Sequence, residues 1–181
     1  MNHEIKATNL NKNKRHSKHD ARELHLFIAW EKARSKEKLI KEEIKKNFDI
    51  CDIYDVKWSE EKFSENLTRF YGANLPQGSN KERHIGNGRF LLFIVLDHNV
   101  CYESRRTSKG DQIVNINTFD LKETLRLKTG GGHKIHATNS LKEVNHDLSL
   151  LLGVNSADYL SNHQGFNSVV KPLERNLTGC E

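Results

Sequence analysis

Phe90-Leu91-Leu92-Phe93-Ile94-Val95-Leu96 is the longest apolar run in the chain. A run with no polar break suits a central strand covered on both faces, because side chains of both parities must be buried. It is far too short to cross a bilayer. Asp97-His98-Asn99 turns the chain, and Val100 to Glu103 reads as a return strand paired to the central one.

Upstream, Leu24-His25-Leu26-Phe27-Ile28-Ala29-Trp30 alternates and then runs apolar, as a buried strand does. Residues 35 to 47 follow as a helix that Ser35 can cap, with Leu39, Ile40 and Ile44 as its apolar strip. Ile50 to Trp58 is a second strand. Ser59-Glu60-Glu61 opens a second helix that runs to about Tyr71. Residues 72 to 88 form a long loop with Pro76, Gly78, Gly86 and Gly88, and a loop of that length is functional or mobile.

Downstream, Arg105-Arg106-Thr107-Ser108-Lys109-Gly110 is a basic, hydroxyl-rich stretch, and Val114 to Phe119 is a weak strand candidate. Gly130-Gly131-Gly132 leads into a short strand, Lys134-Ile135-His136. A helix from Leu141 to about Leu152 follows. Ser140 and Glu143 give it a capping box, Leu141, Val144, Leu148 and Leu151 its buried stripe, and Gly153 its end. The pattern predicts an α+β protein: a ferredoxin-like sandwich with an antiparallel sheet of about four strands covered by helices. Residues 1–21 read as a disordered basic tail with Lys12, Lys14, Arg15 and Lys18, and residues 154–181 as a loosely attached polar C-terminal extension.

The 181 residues suffice for one domain with a proper core. The chain is 35% hydrophobic and 29% charged, with a mean hydropathy of −0.75 and no secretory-type leader, so the expectation is a cytoplasmic protein with no membrane partner. Cys51, Cys101 and Cys180 are odd in number and widely spaced, which reads as free thiols in a reducing compartment. A net charge of +5 and a pI near 9.1 suit an anionic partner. Nucleic acid fits that charge, but aromatics are not interleaved with the basic runs as single-strand platforms require. A homo-oligomer is compatible with the sequence.

The chemistry centres on His136. Asp147 lies two turns into the following helix, with core residues Val144 and Leu151 at i−3 and i+4, so it faces inward. A buried carboxylate needs a partner, and a histidine fixed by one makes a nucleophile or a general base. Thr138 offers a hydroxyl close by. Arg105 and Arg106 supply the cations and Thr107 and Ser108 the hydroxyls that phosphoryl transfer uses. Lys122, Arg126 and Lys128 form a weaker basic group, and Lys32 follows the first strand. The glycine run is no Walker loop, and His133, His136 and His146 fit no standard zinc spacing, so no metal site is assigned.

Over about residues 24–153 the chain resembles the nucleoside diphosphate kinase family. There a strand ends in Asn-x-x-His-Gly-Ser-Asp-Ser, and a capped helix follows with a Glu eleven residues after the His. Here His133-Lys-Ile-His136-Ala-Thr-Asn-Ser140 stands in that place, and Asp147 is eleven residues after His136. Phe27-Ile28-Ala29-Trp30-Glu31-Lys32 resembles the first strand with its Lys-Pro-Asp end, and Glu103-Ser104-Arg105 resembles the Thr-Gly-Arg after the central strand.

The resemblance implies a nucleoside diphosphate kinase-like domain over residues 22–153 and a phosphotransferase that works through a phosphohistidine at His136 on a nucleotide or other phosphorylated substrate, with Mg2+ accompanying the nucleotide. It implies that Asp147 orients His136 and that Thr138 replaces a serine. Lys32 and Arg105 would then bind phosphate, His133 would stand at the ribose-binding position, and the place of the family's second arginine would fall near Lys122 or Glu123. The chain lacks the family's Arg-Pro-Phe-Phe element. That departure supports an alternative, a non-catalytic nucleotide- or partner-binding domain on the same fold.

Overall fold

The computed structural model describes residues 22–177. The basic tail and Cys180 lie outside the described residues. β1 (Glu23–Ala29), β2 (Asp49–Lys57) and β3 (Phe90–Asp97) form the centre of a mixed α+β fold. β3 lies between the other two and is antiparallel to both, with Phe27 opposite Phe93 and Ile53 opposite Phe93 on its other side. α1 (Glu37–Asn47) connects β1 to β2, and α2 (Phe63–Tyr71) and α3 (Asn80–Ile85) connect β2 to β3. β4 (Tyr102–Thr107) and β5 (Gly110–Asn115) follow, then α4 (Ile116–Lys128) and the three-residue β6 (Ile135–Ala137). α5 (Leu141–Leu152), α6 (Ser156–Asn162) and β7 (Val170–Glu174) complete the described chain. The main sheet runs β6-β1-β3-β2-β7, antiparallel throughout except for the parallel β2–β7 pair.

All of β3 is buried, as its apolar run requires. Phe90, Leu92, Ile94 and Leu96 join a core with α2, α5 and Tyr159 of α6. Leu91, Phe93 and Val95 face the other way, onto Ile40 and Ile44 of α1 and Leu121 and Leu125 of α4. The two-residue period of the strand thus feeds two separate cores. No helix among the described residues is long and apolar enough to cross a membrane.

Several expectations change. The sheet has five strands rather than four. The return strand after β3 does not join it: β4 pairs with β5 in a separate hairpin, Tyr102 opposite Asn115. The strand candidate over 114–119 splits, because the Asn115 side chain accepts hydrogen bonds from the backbone N–H groups of Asn117 and Thr118 and so caps α4. The 72–88 loop contains α3, capped by Ser79, whose hydroxyl accepts from the Glu82 N–H. The first helix is entered through a 3-10 segment, Glu31–Lys36, and Ser35 does not cap it. Leu141 is exposed, outside the buried stripe of α5.

The C-terminal extension is not loose where described. β7 adds to the sheet edge, and the Lys171 ammonium reaches buried Asp52 at 2.6 Å. Tyr159 donates its hydroxyl hydrogen to the same carboxylate. Cys51 is buried and Cys101 half-buried, both free thiols.

Candidate functional site

His136 owes its position to strand alternation. Its neighbours Ile135 and Ala137 are buried in the core beneath α1 and α4. His136 therefore emerges on the opposite face, level with Ile28 of β1 and beneath α2 and α5. Gly130, Gly131 and Gly132 precede it with φ of +87°, +78° and +74°, a succession of left-handed residues that side chains disfavour. The ring packs edge-on against Phe70 and Tyr71, at 5.1 and 5.6 Å between centroids. Tyr71 is itself fixed, its oxygen accepting from the Trp30 indole N–H at 3.2 Å. Ring contacts of this kind hold the imidazole plane.

Asp147 approaches from α5. Its Oδ2 lies 2.8 Å from His136 Nε2, and its Oδ1 lies 2.9 Å from His146 Nδ1. Burial works to raise the Asp147 pKa, but the hydrogen bonds from His136 and His146 outweigh it and hold the carboxyl below its usual range. The same bond lifts His146 above the ordinary histidine value. An ionised Asp147 accepts, so His136 carries a hydrogen on Nε2, which leaves Nδ1 as the ring nitrogen for chemistry. Nδ1 has no hydrogen-bond partner among the described residues.

The cap of α5 departs slightly from a reciprocal box. Ser140 Oγ accepts from the Glu143 N–H at 3.4 Å, while Glu143 reaches back to the N–H of Asn139 rather than Ser140, at 2.7 Å.

The three residues His136, His146 and Asp147 line a cleft of about 830 Å³. Its walls carry Lys81 from α3, Arg106 and Lys109 from the hairpin, Lys122 and Arg126 from α4, and His133 from the glycine loop. Arg126 is committed: its Nε donates to the Ile135 carbonyl at 3.0 Å and its Nη1 meets Glu123 at 2.9 Å. Lys122 and Lys81 have no ion pair among the described residues. Lys122 is buried; among the described residues it donates to the Asn139 amide oxygen at 3.0 Å and sits 4.2 Å over the Phe119 ring, while Lys81 sits 3.3 Å over the Tyr71 ring. Burial first, and the nearby Arg126 charge second, push both ammoniums down to about 8. Burial, then Lys81 and Arg126, lower His133 as well.

Of the residues singled out from sequence, His136, Asp147, Arg106, His133 and Lys122 therefore converge on one cleft. Arg105, Lys32 and Thr138 do not. Arg105 alternates with Arg106 along β4 and turns outward, paired with Glu103 at 3.0 Å and Asp120 at 3.2 Å. Lys32 donates to the Arg83 carbonyl at 2.6 Å. Thr138 is buried, its oxygen 3.0 Å from both the Leu26 N–H and His25 Nδ1. Lys81 and the pairing of His146 with Asp147 escaped sequence reasoning. Ser79-Asn80-Lys81-Glu82 is itself an Ser-x-x-Glu cap signal, which would have put Lys81 on a helix.

The acids of the cleft do not fit a protein-held magnesium. Glu123 is paired with Arg126, Glu143 accepts from Asn139, and Asp147 is shared by two histidines. Among the described residues no group of three or more His, Cys, Asp or Glu is arranged to hold a metal ion.

No protein-family model and no curated protein sequence matches the chain. Among solved structures it is similar to the nucleoside diphosphate kinase of Aquifex aeolicus, at 16% identity and a TM-score of 0.46, over 71% of this chain and 93% of that one. This is a distant resemblance at the level of the fold, and it says nothing of activity.

Proposed function

We propose that the protein is a phosphotransferase in which His136 Nδ1 takes up a phosphoryl group from a nucleotide or another phosphorylated substrate. One observation carries this reading. A histidine oriented by a buried carboxylate, 2.8 Å away, opens onto a cleft whose buried cation Lys122 has no anionic partner among the described residues. An unpaired buried charge is costly, and a bound anion removes the cost. Asp147 holds Nε2–H and stabilises the positive charge that develops on the ring as Nδ1 attacks phosphorus. Lys81 and Lys122 meet the phosphoryl oxygens, joined by Arg106 as it exchanges its exposed pair with Asp111, at 3.2 Å, for the phosphoryl group, the charge stabilisation that phosphoryl transfer chiefly needs.

Incubation with γ-labelled ATP and with labelled p-nitrophenyl phosphate tests the proposal. Acid-labile, base-stable label on the wild type and none on His136→Ala is the expected result. Equal label on the variant would refute it.

A second reading, binding of a nucleotide or partner without turnover, draws on the commitment of Arg105 and Lys32 to contacts outside the cleft. It predicts phosphate binding that His136→Ala leaves unchanged, with no label on either protein.

A further inference from the structure

His146 is the unexpected member of the site. It follows no strand and belongs to no motif, yet its Nδ1 shares Asp147 with His136, one histidine on each carboxylate oxygen, at 2.9 and 2.8 Å. Both rings line the same cleft. The two are unequal in setting: the His136 side chain is 18% exposed, the His146 side chain 51%. The half-buried ring is positioned as a nucleophile, while the more exposed ring can exchange protons with water. With Nδ1 held by Asp147, His146 presents its Nε2 away from the carboxylate.

We propose that His146 is the general acid of the reaction and that the substrate is accordingly a phosphate ester with an alkoxide-like leaving group. This rests on the phosphohistidine reading above. In the first step the Nδ1 lone pair of His136 forms the N–P bond. The ester P–O bond breaks, and its electron pair stays on the departing oxygen. The Nε2 proton of His146 passes to that oxygen, releasing an alcohol. In the second step neutral His146 takes the proton of an incoming hydroxyl, from water or an acceptor alcohol. The hydroxyl oxygen attacks phosphorus, the N–P bond breaks with its pair returning to Nδ1, and both histidines regain their starting states. A diphosphate leaving group carries its own charge well and needs no such acid. A general acid beside the nucleophile thus favours an ester over a nucleoside triphosphate.

The test compares phenyl phosphate, a poor leaving group, with p-nitrophenyl phosphate, a good one, on wild type and His146→Asn. Asparagine retains a donor near the Nδ1 position, so Asp147 stays oriented, but it offers no acid. The expected result is a loss of about 100-fold or more in His136 phosphorylation by phenyl phosphate, and a loss at least about tenfold smaller with p-nitrophenyl phosphate. Equal losses with both substrates would mean that His146 only positions Asp147, and the proposal would fall while His136 kept its role. Absence of label on wild-type His136 from either ester would overturn the nucleophile reading and this proposal with it. Because the p-nitrophenyl reaction reports folding and site integrity within the same sample, a misfolded variant is recognised directly.

Discussion

His136 sits in the middle of the β1–β6 pair, opposite Ile28, and His25 lies on β1 just past it, beside Thr138; the two behave as opposites. His25 is wholly buried and both ring nitrogens are engaged, Nδ1 with Thr138 Oγ1 at 3.0 Å and Nε2 with the Asn115 amide at 3.1 Å. The network extends to Asp97, which accepts from Asn115 at 2.8 Å and from Asn117 at 3.1 Å. It ties β1, β3, β6 and the start of α4 together. His136 has one nitrogen held by Asp147, the other has no hydrogen-bond partner among the described residues, and the residue lines a cationic cleft. A histidine becomes chemically useful when a carboxylate fixes one nitrogen and the fold leaves the other open. When both are taken, as in His25 by Thr138, Asn115 and the Glu23 carboxylate 3.4 Å from Nε2, it becomes a joint.

The sharpest way to break the contrast is to remove the anchor. Asp147→Asn should slow labelling of His136 about 100-fold or more, by analogy with anchors in other His-centred sites, while isothermal titration with inorganic phosphate changes little. The converse change is His25→Ala, which leaves buried Thr138 and Asn115 without their shared partner. It should cost about 2–4 kcal/mol in urea unfolding and leave the labelling rate of the folded protein unaltered. If His25→Ala slowed labelling while sparing stability, the two histidines would have exchanged roles.

Lys122→Met is smaller in effect. Phosphate affinity should fall about tenfold, equivalent to about 1.4 kcal/mol, whereas the ligand-free protein should be no less stable, because a buried unpaired ammonium is removed.

The smallest effects are those of pH. Lys122 and Lys81 have folded values pushed down to about 8, so their unfolded forms hold protons more tightly. Stability of the ligand-free protein should therefore rise as pH climbs from about 8 towards the ordinary lysine range, and saturating phosphate should flatten the rise. Asp147 works at the acid end. Its lowered value means its contribution is present above the usual carboxylate range and lost as pH falls through the still lower folded value. The raised value of His146 contributes below the ordinary histidine range and is lost as pH rises through the folded value. Thermal melts across this range, with and without phosphate, read all three signs.

What could be read from the sequence was what local rules control. The unbroken run over 90–96, the early β-α-β order and the capped helix after His136 all depend on neighbours in the chain. So does the inward face of Asp147, set by Val144, Leu148 and Leu151 around it. Elements set by distant partners were illegible. β7 is polar and contains Pro172, and it becomes a strand only because β2 offers a parallel edge. α4 hides because Val114-Asn115-Ile116 looks like a strand and Leu127 is 80% exposed, so its apolar stripe is broken. The same division runs through the site. The His136–Asp147 pair lies within one strand–helix unit, whereas the cleft's cations arrive from α3, the hairpin and α4. Basic residues such as Arg105 and Arg106 look alike in sequence, and only the pairing of β4 with β5 decides which of them enters the cleft.

The central claim is that His136 Nδ1 is the reactive atom. ³¹P and ¹⁵N NMR of the protein labelled with p-nitrophenyl phosphate locates the phosphoryl group directly. The account predicts phosphorus bonded to Nδ1 of His136, with Nε2–H still hydrogen-bonded to Asp147. Phosphorus on Nε2, on His146, or on no histidine would contradict it.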